Sequence, residues 1–199
     1  MTKISWAGFL FLGTLICASC GKKSDSSSAE GTISLDASST YSFRPSTVTS
    51  AEYCKENASG SVIQSGPAIQ IAEAQQSTQY WHRVLELVYL GSSTPALNQA
   101  TTLTCTQIEG EVNCASGDGS VLLSFGYWTN DNESTIGLPP APNLPATSSA
   151  TITILDYGGQ NGGTMSVKFA IIFVDGTALS GTVSASEPPA SAASSCIPL

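Results

Sequence analysis

The sequence predicts a mainly β protein, with a single antiparallel β-sandwich or barrel-like domain stapled by disulfides. Short segments of alternating apolar and polar residues recur along the chain, and turn signals rich in Gly, Pro and Asn separate them. The length of 199 residues is enough for one domain with a sizeable core. We place this β domain at residues 31–186, after a signal peptide and a flexible tether and before a Pro/Ala/Ser-rich tail at 187–199.

The first part of the domain carries loosely alternating segments. Residues 31–50 predict one or two strands, with Pro45 at an edge or a bend. Val62 and Ile63 predict the start of a short strand, which Gly66-Pro67 is expected to close.

Residues 80–90 read YWHRVLELVYL and fit two kinds of element. A helical stripe would contain Trp81, Val84, Leu85 and Val88. A strand would instead place Leu85, Leu87 and Tyr89 on one face and Val84, Val88 and Leu90 on the other. The aromatic and β-branched content, and Gly91 at the end, favour a buried strand.

Residues 103–116 predict a hairpin around Glu109-Gly110. A two-residue loop places Cys105 directly opposite Cys114 as a non-hydrogen-bonded pair, for which the Cα separation is roughly 4.5 Å. That spacing is compatible with a disulfide. The same register brings both cysteines to one face with Leu103 and Val112.

The cysteine count supports two disulfides in an oxidising compartment. Of the six cysteines, Cys17 and Cys20 belong to the N-terminal segment. Four remain, which allow three connectivities. Pairing Cys105 with Cys114 leaves Cys54 and Cys196, whose bridge would clip the tail onto the early strands. Because these four cysteines include no Cys-x-x-Cys pair, we expect no metal.

Residues 121–128 give the clearest strand. Val121, Leu123, Phe125 and Tyr127 share one face and are predicted to be core. Trp128 then belongs to the other face, beside small residues. Together with Trp81 it is a candidate platform for a sugar ring or a protein partner.

The C-terminal half predicts a proline-stiffened loop, a strand and a second hairpin. The loop covers 137–149 and the strand 151–157. The hairpin, at 167–185, is expected to turn through Val174-Asp175-Gly176, with Gly176 in a left-handed bulge position. That three-residue loop pairs Ile171 with Leu179 and Val167 with Val183, whereas a slip of one residue would turn the apolar set outwards.

The N-terminus has the pattern of an export signal. Lys3 supplies a positive charge, and residues 4–16 form an apolar segment that is too short to span a bilayer. Ala18 and Ser19 stand directly before Cys20, and this arrangement resembles the lipobox of bacterial lipoproteins.

The resemblance implies that Cys20 receives a diacylglyceryl group, that acyl chains such as palmitate anchor the protein, and that residues 1–19 are removed. Cys17 departs from the family pattern, which usually has leucine there. Residues 20–30 would form a lipidated tether, because the polar stretch after Cys20 cannot bury enough surface to order itself. Gly21 after the cysteine resembles lipoproteins sent to the outer membrane, if the source has one. The alternative is an ordinary secretory signal cut near Ser19.

Composition and side-chain chemistry restrict the function. With 7 basic and 15 acidic residues, the net charge of −8 has the wrong sign for a nucleic-acid partner. His82 is the only histidine, and no nucleophile motif accompanies it. The acids could in principle form a glycosidase pair or, around residues 130–133, a calcium site, but most fall in predicted turns, which favour Asp by themselves. The acids considered are Asp118, Asp131, Glu133, Asp156 and Asp175.

These observations favour a lipid-anchored protein of the cell envelope that acts as a non-enzymatic binding or structural module. We expect no cofactor, and a glycan or an envelope protein as partner. The alternative is an envelope hydrolase acting on polysaccharide or peptide. Two carboxyl groups roughly 5–10 Å apart in a cleft would favour the enzyme, and an exposed aromatic stripe without converging acids would favour the module.

Overall fold

The computed structural model describes residues 31–74, 81–91, 93–108, 111–129, 143–158, 163–186 and 197–198. This part of the chain is all β and contains no helix. Ten antiparallel strands and one very short parallel strand form a single sheet. The strands are β1 Thr32–Leu35, β2 Pro45–Glu56, β3 Val62–Glu73, β4 Trp81–Tyr89, β5 Ala100–Ile108, β6 Glu111–Ala115, β7 Val121–Thr129, β8 Thr147–Tyr157, β9 Thr164–Phe173, β10 Ala178–Ser186 and β11 Ile197–Pro198.

The sheet curls into a nearly closed barrel. Its strand order is β1-β10-β9-β8-β5-β6-β7-β4-β3-β2-β11. At the seam, the Gly31 amide donates to the Val48 carbonyl at 3.0 Å, and the Ser50 hydroxyl donates to the Ser186 carbonyl. The structure therefore favours the barrel-like form of the predicted fold over two separate sheets.

One face of the curled sheet forms a densely packed apolar interior. Strand β9 shows the pattern most simply, because every second side chain is buried. Aromatic rings fill the centre: Phe125 contacts Tyr41 and Phe43 edge-on, with ring centroids 5.6 and 5.5 Å apart. In β7, the predicted core residues Val121, Leu123 and Phe125 are buried, and Tyr127 packs against the same core.

The first predicted hairpin is confirmed. Strands β5 and β6 pair Cys105 with Cys114 and Ile108 with Glu111, so a two-residue loop joins them. Cys105 and Cys114 form a disulfide, with a Cα separation of 4.0 Å. Local alternation and the turn dipeptide were sufficient to set this register.

The second hairpin is also confirmed. Ile171 pairs with Leu179 and Val167 with Val183. Gly176 has a φ of 84°, the left-handed conformation that the three-residue loop requires. The ambiguous segment at 80–90 is a strand, as predicted, and β4 lies in the sheet between β3 and β7.

Two predicted boundaries were wrong. Gly66-Pro67 does not close a strand, because β3 continues through it to Glu73. Pairing with β4 begins only at Ala68, so Pro67 breaks no hydrogen bond on that side. A Cβ at Gly66 would overlap the carbonyl of Tyr89, so the strand needs glycine there.

The second wrong boundary is the start of β8. The strand begins at Thr147, inside the segment predicted as a proline-stiffened loop at 137–149. Thr147 and Ser149 already pair with β9 across an irregularity in register. The prediction placed the start too late because it followed the prolines, whereas the pairing partner extends the strand.

The tail meets the sheet beside Cys54. Strand β11 pairs in parallel with β2, with Ile197 opposite Tyr53 and Pro198 opposite Cys54. Cys54 is fully buried and disulfide-bonded. Because Cys196 lies outside the described residues, the Cys54–Cys196 bridge stays a prediction. The signal peptide and tether, residues 1–30, also lie outside them. Among the described residues, no helix is long and apolar enough to cross a bilayer.

Candidate functional site

A second, smaller apolar cluster lies on the outer face of the sheet. It consists of Tyr53, Ala68, Val88 and Leu90, with Leu122 packed against it. Outward-facing residues of a barrel-like sheet are usually polar. These four apolar residues are nevertheless buried, so side chains also pack together on the outer face here.

Beside this cluster is a groove of about 540 Å³. Such a volume lies in the range of small-molecule sites. Val88 and Leu122 contribute apolar surface, and Glu86 and Glu111 contribute carboxylates. Other lining residues offer hydroxyl or amide groups, namely Thr104, Thr106, Asn113, Ser116 and Ser124.

Glu86 is the more buried of the two carboxylate residues that line the groove, and only 7% of it is exposed. Tyr53 Oη donates to Glu86 Oε1 at 2.7 Å and Gln70 Nε2 donates to the same oxygen at 2.8 Å. The other oxygen, Oε2, accepts a longer bond from Ser124 Oγ, at 3.4 Å. All three donors are neutral, so they solvate the carboxylate without cancelling its charge.

Four strands position this network. Tyr53 lies on β2, Gln70 on β3, Glu86 on β4 and Ser124 on β7. Gln70 and Ser124 are the direct cross-strand partners of Glu86, in the ladders β3–β4 and β4–β7. Cross-strand neighbours on one face lie close enough for side chains to bond, so the network follows from the register.

Glu111 reaches the same groove from β6. A Cβ at Gly126 would overlap the Glu111 side chain, so the missing side chain leaves room for the carboxylate above β7. Strand β7 lies between the two carboxylates, with Ser124 beside Glu86 and Gly126 beside Glu111.

An aromatic and charged cluster closes one end of the interior. Arg83 forms a bidentate ion pair with Glu73, at 2.7 and 2.5 Å. Its guanidinium also lies 5.4 Å from the ring centroid of Tyr41. Trp81 packs edge-on against Tyr127, with ring centroids 4.8 Å apart. Burial raises the pKa of the Tyr127 phenol.

Trp81, one half of the predicted aromatic platform, is therefore half-buried against a core residue. The backbone of Trp128 pairs with His82 in the β4–β7 ladder, but its side chain lies outside the described residues. The His82 ring is half-buried, and burial lowers its pKa. In the described part of the chain, its Nδ1 has no hydrogen-bond partner.

Of the candidate acids that the structure describes, Asp118 and Asp175 serve turns, whereas Asp156 lies within β8. Asp118 accepts bonds from Ser116 and Ser120, and these hydrogen bonds lower its pKa to about 2. Asp175 accepts bonds from Thr177, which lower its pKa. Asp156 accepts a hydrogen bond from the backbone amide of Tyr157. Asp131 and Glu133 lie outside the described residues. Within the described ranges, no group of three or more His, Cys, Asp or Glu could hold a metal ion.

Sequence reasoning did not single out Glu86, although the sequence contained a signal. Glu86 interrupts the apolar run VLELVY of a predicted buried strand. A buried carboxylate without hydrogen-bond donors would destabilise the folded state by roughly several kcal/mol, so donors are required at such a position. That requirement indicates a polar site, but the sequence does not reveal which residues provide the donors.

The chain matches no protein-family model, no curated protein and no solved structure. The fold and the groove define the class of protein only as a disulfide-containing, barrel-like β domain with a polar outer-face groove.

Proposed function

We propose that this protein is a lipid-anchored envelope lipoprotein whose β domain is a non-enzymatic binding module. Cys20 would carry the lipid and residues 20–30 would serve as the tether. The groove around Glu86 would be the binding site. The membrane would be the first partner and a glycan or an envelope protein the second.

The observation that carries the binding role is the groove itself. It combines a volume of about 540 Å³ with a nearly buried carboxylate and several hydroxyl and amide groups. Pockets that bind small molecules typically combine apolar surface with a few fixed polar groups. The strands of a closed sheet hold these groups in place, so little ordering would be needed on binding.

The tether rests on the lipobox-like residues before Cys20. We expect Cys20→Ala to move the protein from the membrane fraction to the soluble fraction, because the thiol that accepts the lipid is lost. Cys17→Ala is the matched control: it removes a cysteine of the signal peptide and should leave the protein in the membrane fraction.

The intact mass of the protein from its own membranes provides the direct measurement. A chain that starts at Cys20 and carries acyl groups would support the anchor. Tight membrane association of Cys20→Ala, or an unmodified mature chain, would refute it.

A second candidate function is an envelope hydrolase, and one observation favours it. Glu86 and Glu111 both line the same groove, as a pair of catalytic carboxylates would. If this function is correct, the protein releases fragments from envelope polysaccharide, and Glu86→Gln and Glu111→Gln each abolish the release. Binding without turnover would leave the module as the function.

A further inference from the structure

We propose that the Glu86 groove binds a protonated primary amine carried on a hydroxylated ring, as in an amino sugar. This ligand class rests on the proposed role of the groove as a binding site. It is more specific than that role, since a groove could bind neutral glycans alone.

The charge of the groove points to a cation. Its described lining contains two carboxylates, Glu86 and Glu111, and no Lys or Arg. The described residue bonded to Glu86 Oε2 is Ser124, at the long distance of 3.4 Å. An ammonium group can donate to this oxygen at shorter range and also supplies the missing opposite charge.

Burial strengthens this preference. Glu86 is 7% exposed, and its hydrogen-bond partners Tyr53, Gln70 and Ser124 carry no charge. A charge in such surroundings interacts more strongly with an opposite charge than it would in water. The same field repels anions, so phosphate and carboxylate ligands are disfavoured.

The remaining lining suits a hydroxylated ring. Thr104, Thr106 and Asn113 lie on one hairpin and can exchange hydrogen bonds with ring hydroxyls. Val88 on β4 and Leu122 on β7 are cross-strand partners and can pack against the apolar face of the ring. The volume of about 540 Å³ is within the range of sites for ligands of this size.

The test compares two probes that differ in charge at one group. A disaccharide of glucosamine carries free amines, and its fully N-acetylated counterpart does not. Binding of each to the full mature protein in detergent is measured by calorimetry at low and at high salt. We expect the amine form to bind at least about tenfold more tightly, and this difference to shrink as salt screens the charges.

Three variants locate the effect. Glu86→Gln removes the charge but retains an oxygen that can accept from Tyr53 and Gln70, and it should lower amine affinity about tenfold or more. Glu111→Gln should lower it by a smaller factor, and it tests the same charge preference if Glu86→Gln does not fold. Glu56→Gln, an exposed residue outside the described groove lining, is the control of equal charge and should change nothing.

The outcomes separate the two levels of the proposal. If both probes bind equally and the Gln variants bind like wild type, the amine preference is overturned and the groove remains a glycan site. If neither probe binds wild type, the amine inference is overturned. The anchor test on Cys20 is independent of both results.

Discussion

At the scale of single residues, Glu86 is the most informative position. A carboxylate in the middle of an apolar strand is normally a large cost, because charge is removed from water. Among the described residues, Tyr53 and Gln70 donate to one oxygen and Ser124 to the other, so hydrogen bonds from neutral groups offset the cost. The residue is therefore a structural hub, and none of its described hydrogen-bond donors carries a charge.

A double-mutant cycle on Tyr53 and Glu86 measures this hub. Tyr53→Phe deletes one donor to a nearly buried carboxylate, and we expect it to lower the free energy of unfolding by about 1.5–3 kcal/mol at neutral pH. In the Glu86→Gln background the loss should be smaller, because the acceptor is then neutral. Urea unfolding provides the measurement. Equal losses in both backgrounds would mean that the Tyr53 hydroxyl gains nothing from the charge of Glu86.

At the scale of elements, loop length sets which side chains face the core. The β9–β10 hairpin keeps Ile171 opposite Leu179 because three residues, with Gly176 in the left-handed conformation, form the turn. In the β5–β6 hairpin a two-residue loop places Cys105 opposite Cys114. In each case one residue more or less would expose the apolar face.

Two glycines in turns test this argument. Gly176→Ala should cost about 1–2 kcal/mol, because a side chain is disfavoured at its φ of 84°. Gly117→Ala is the control: a Cβ there meets no atom within 4 Å, and Gly117 is not among the glycines with positive φ. Thermal unfolding of both variants is compared with wild type. Equal stability of the two would refute the strained-turn explanation.

At the scale of the whole molecule, the seam where β1 and β10 meet β2 completes the barrel. β1 and the end of β10 approach β2 near Val48 and Ser50, while β11 pairs with β2 further along, at Tyr53 and Cys54. The edge of β2 is thus covered by different partners along its length. A bridge from buried Cys54 to Cys196 would hold the last of these contacts in place.

Reduction separates the two bridges. The hairpin disulfide closes a short loop, worth roughly 2–3 kcal/mol by chain entropy, whereas a Cys54–Cys196 bridge closes a long one, worth up to about 5 kcal/mol. We therefore expect Cys105→Ala/Cys114→Ala to remain strongly sensitive to reductant in urea unfolding, and Cys54→Ala to be less so. Peptide mapping without reduction should join the segments around Cys54 and Cys196. A free Cys196 thiol would contradict the pairing.

The sequence by itself determined the local features of this protein. The β class, the registers of both hairpins, the core face of β7 and the Cys105–Cys114 bridge all follow from alternation and turn chemistry over a few residues. These features can be predicted without knowing the distant partners, because in each hairpin a strand pairs with the next strand along the chain.

Only the tertiary structure decided how far β3 and β8 extend and which residues form the Glu86 groove. β3 continues through Gly66-Pro67, and β8 begins at Thr147, because neighbouring strands supply partners that local propensity does not reveal. Glu86 meets Ser124 because β4 lies beside β7 rather than β5. Many strand orders satisfy the same alternation, so the sequence pattern leaves open which polar side chains will share one face of neighbouring strands.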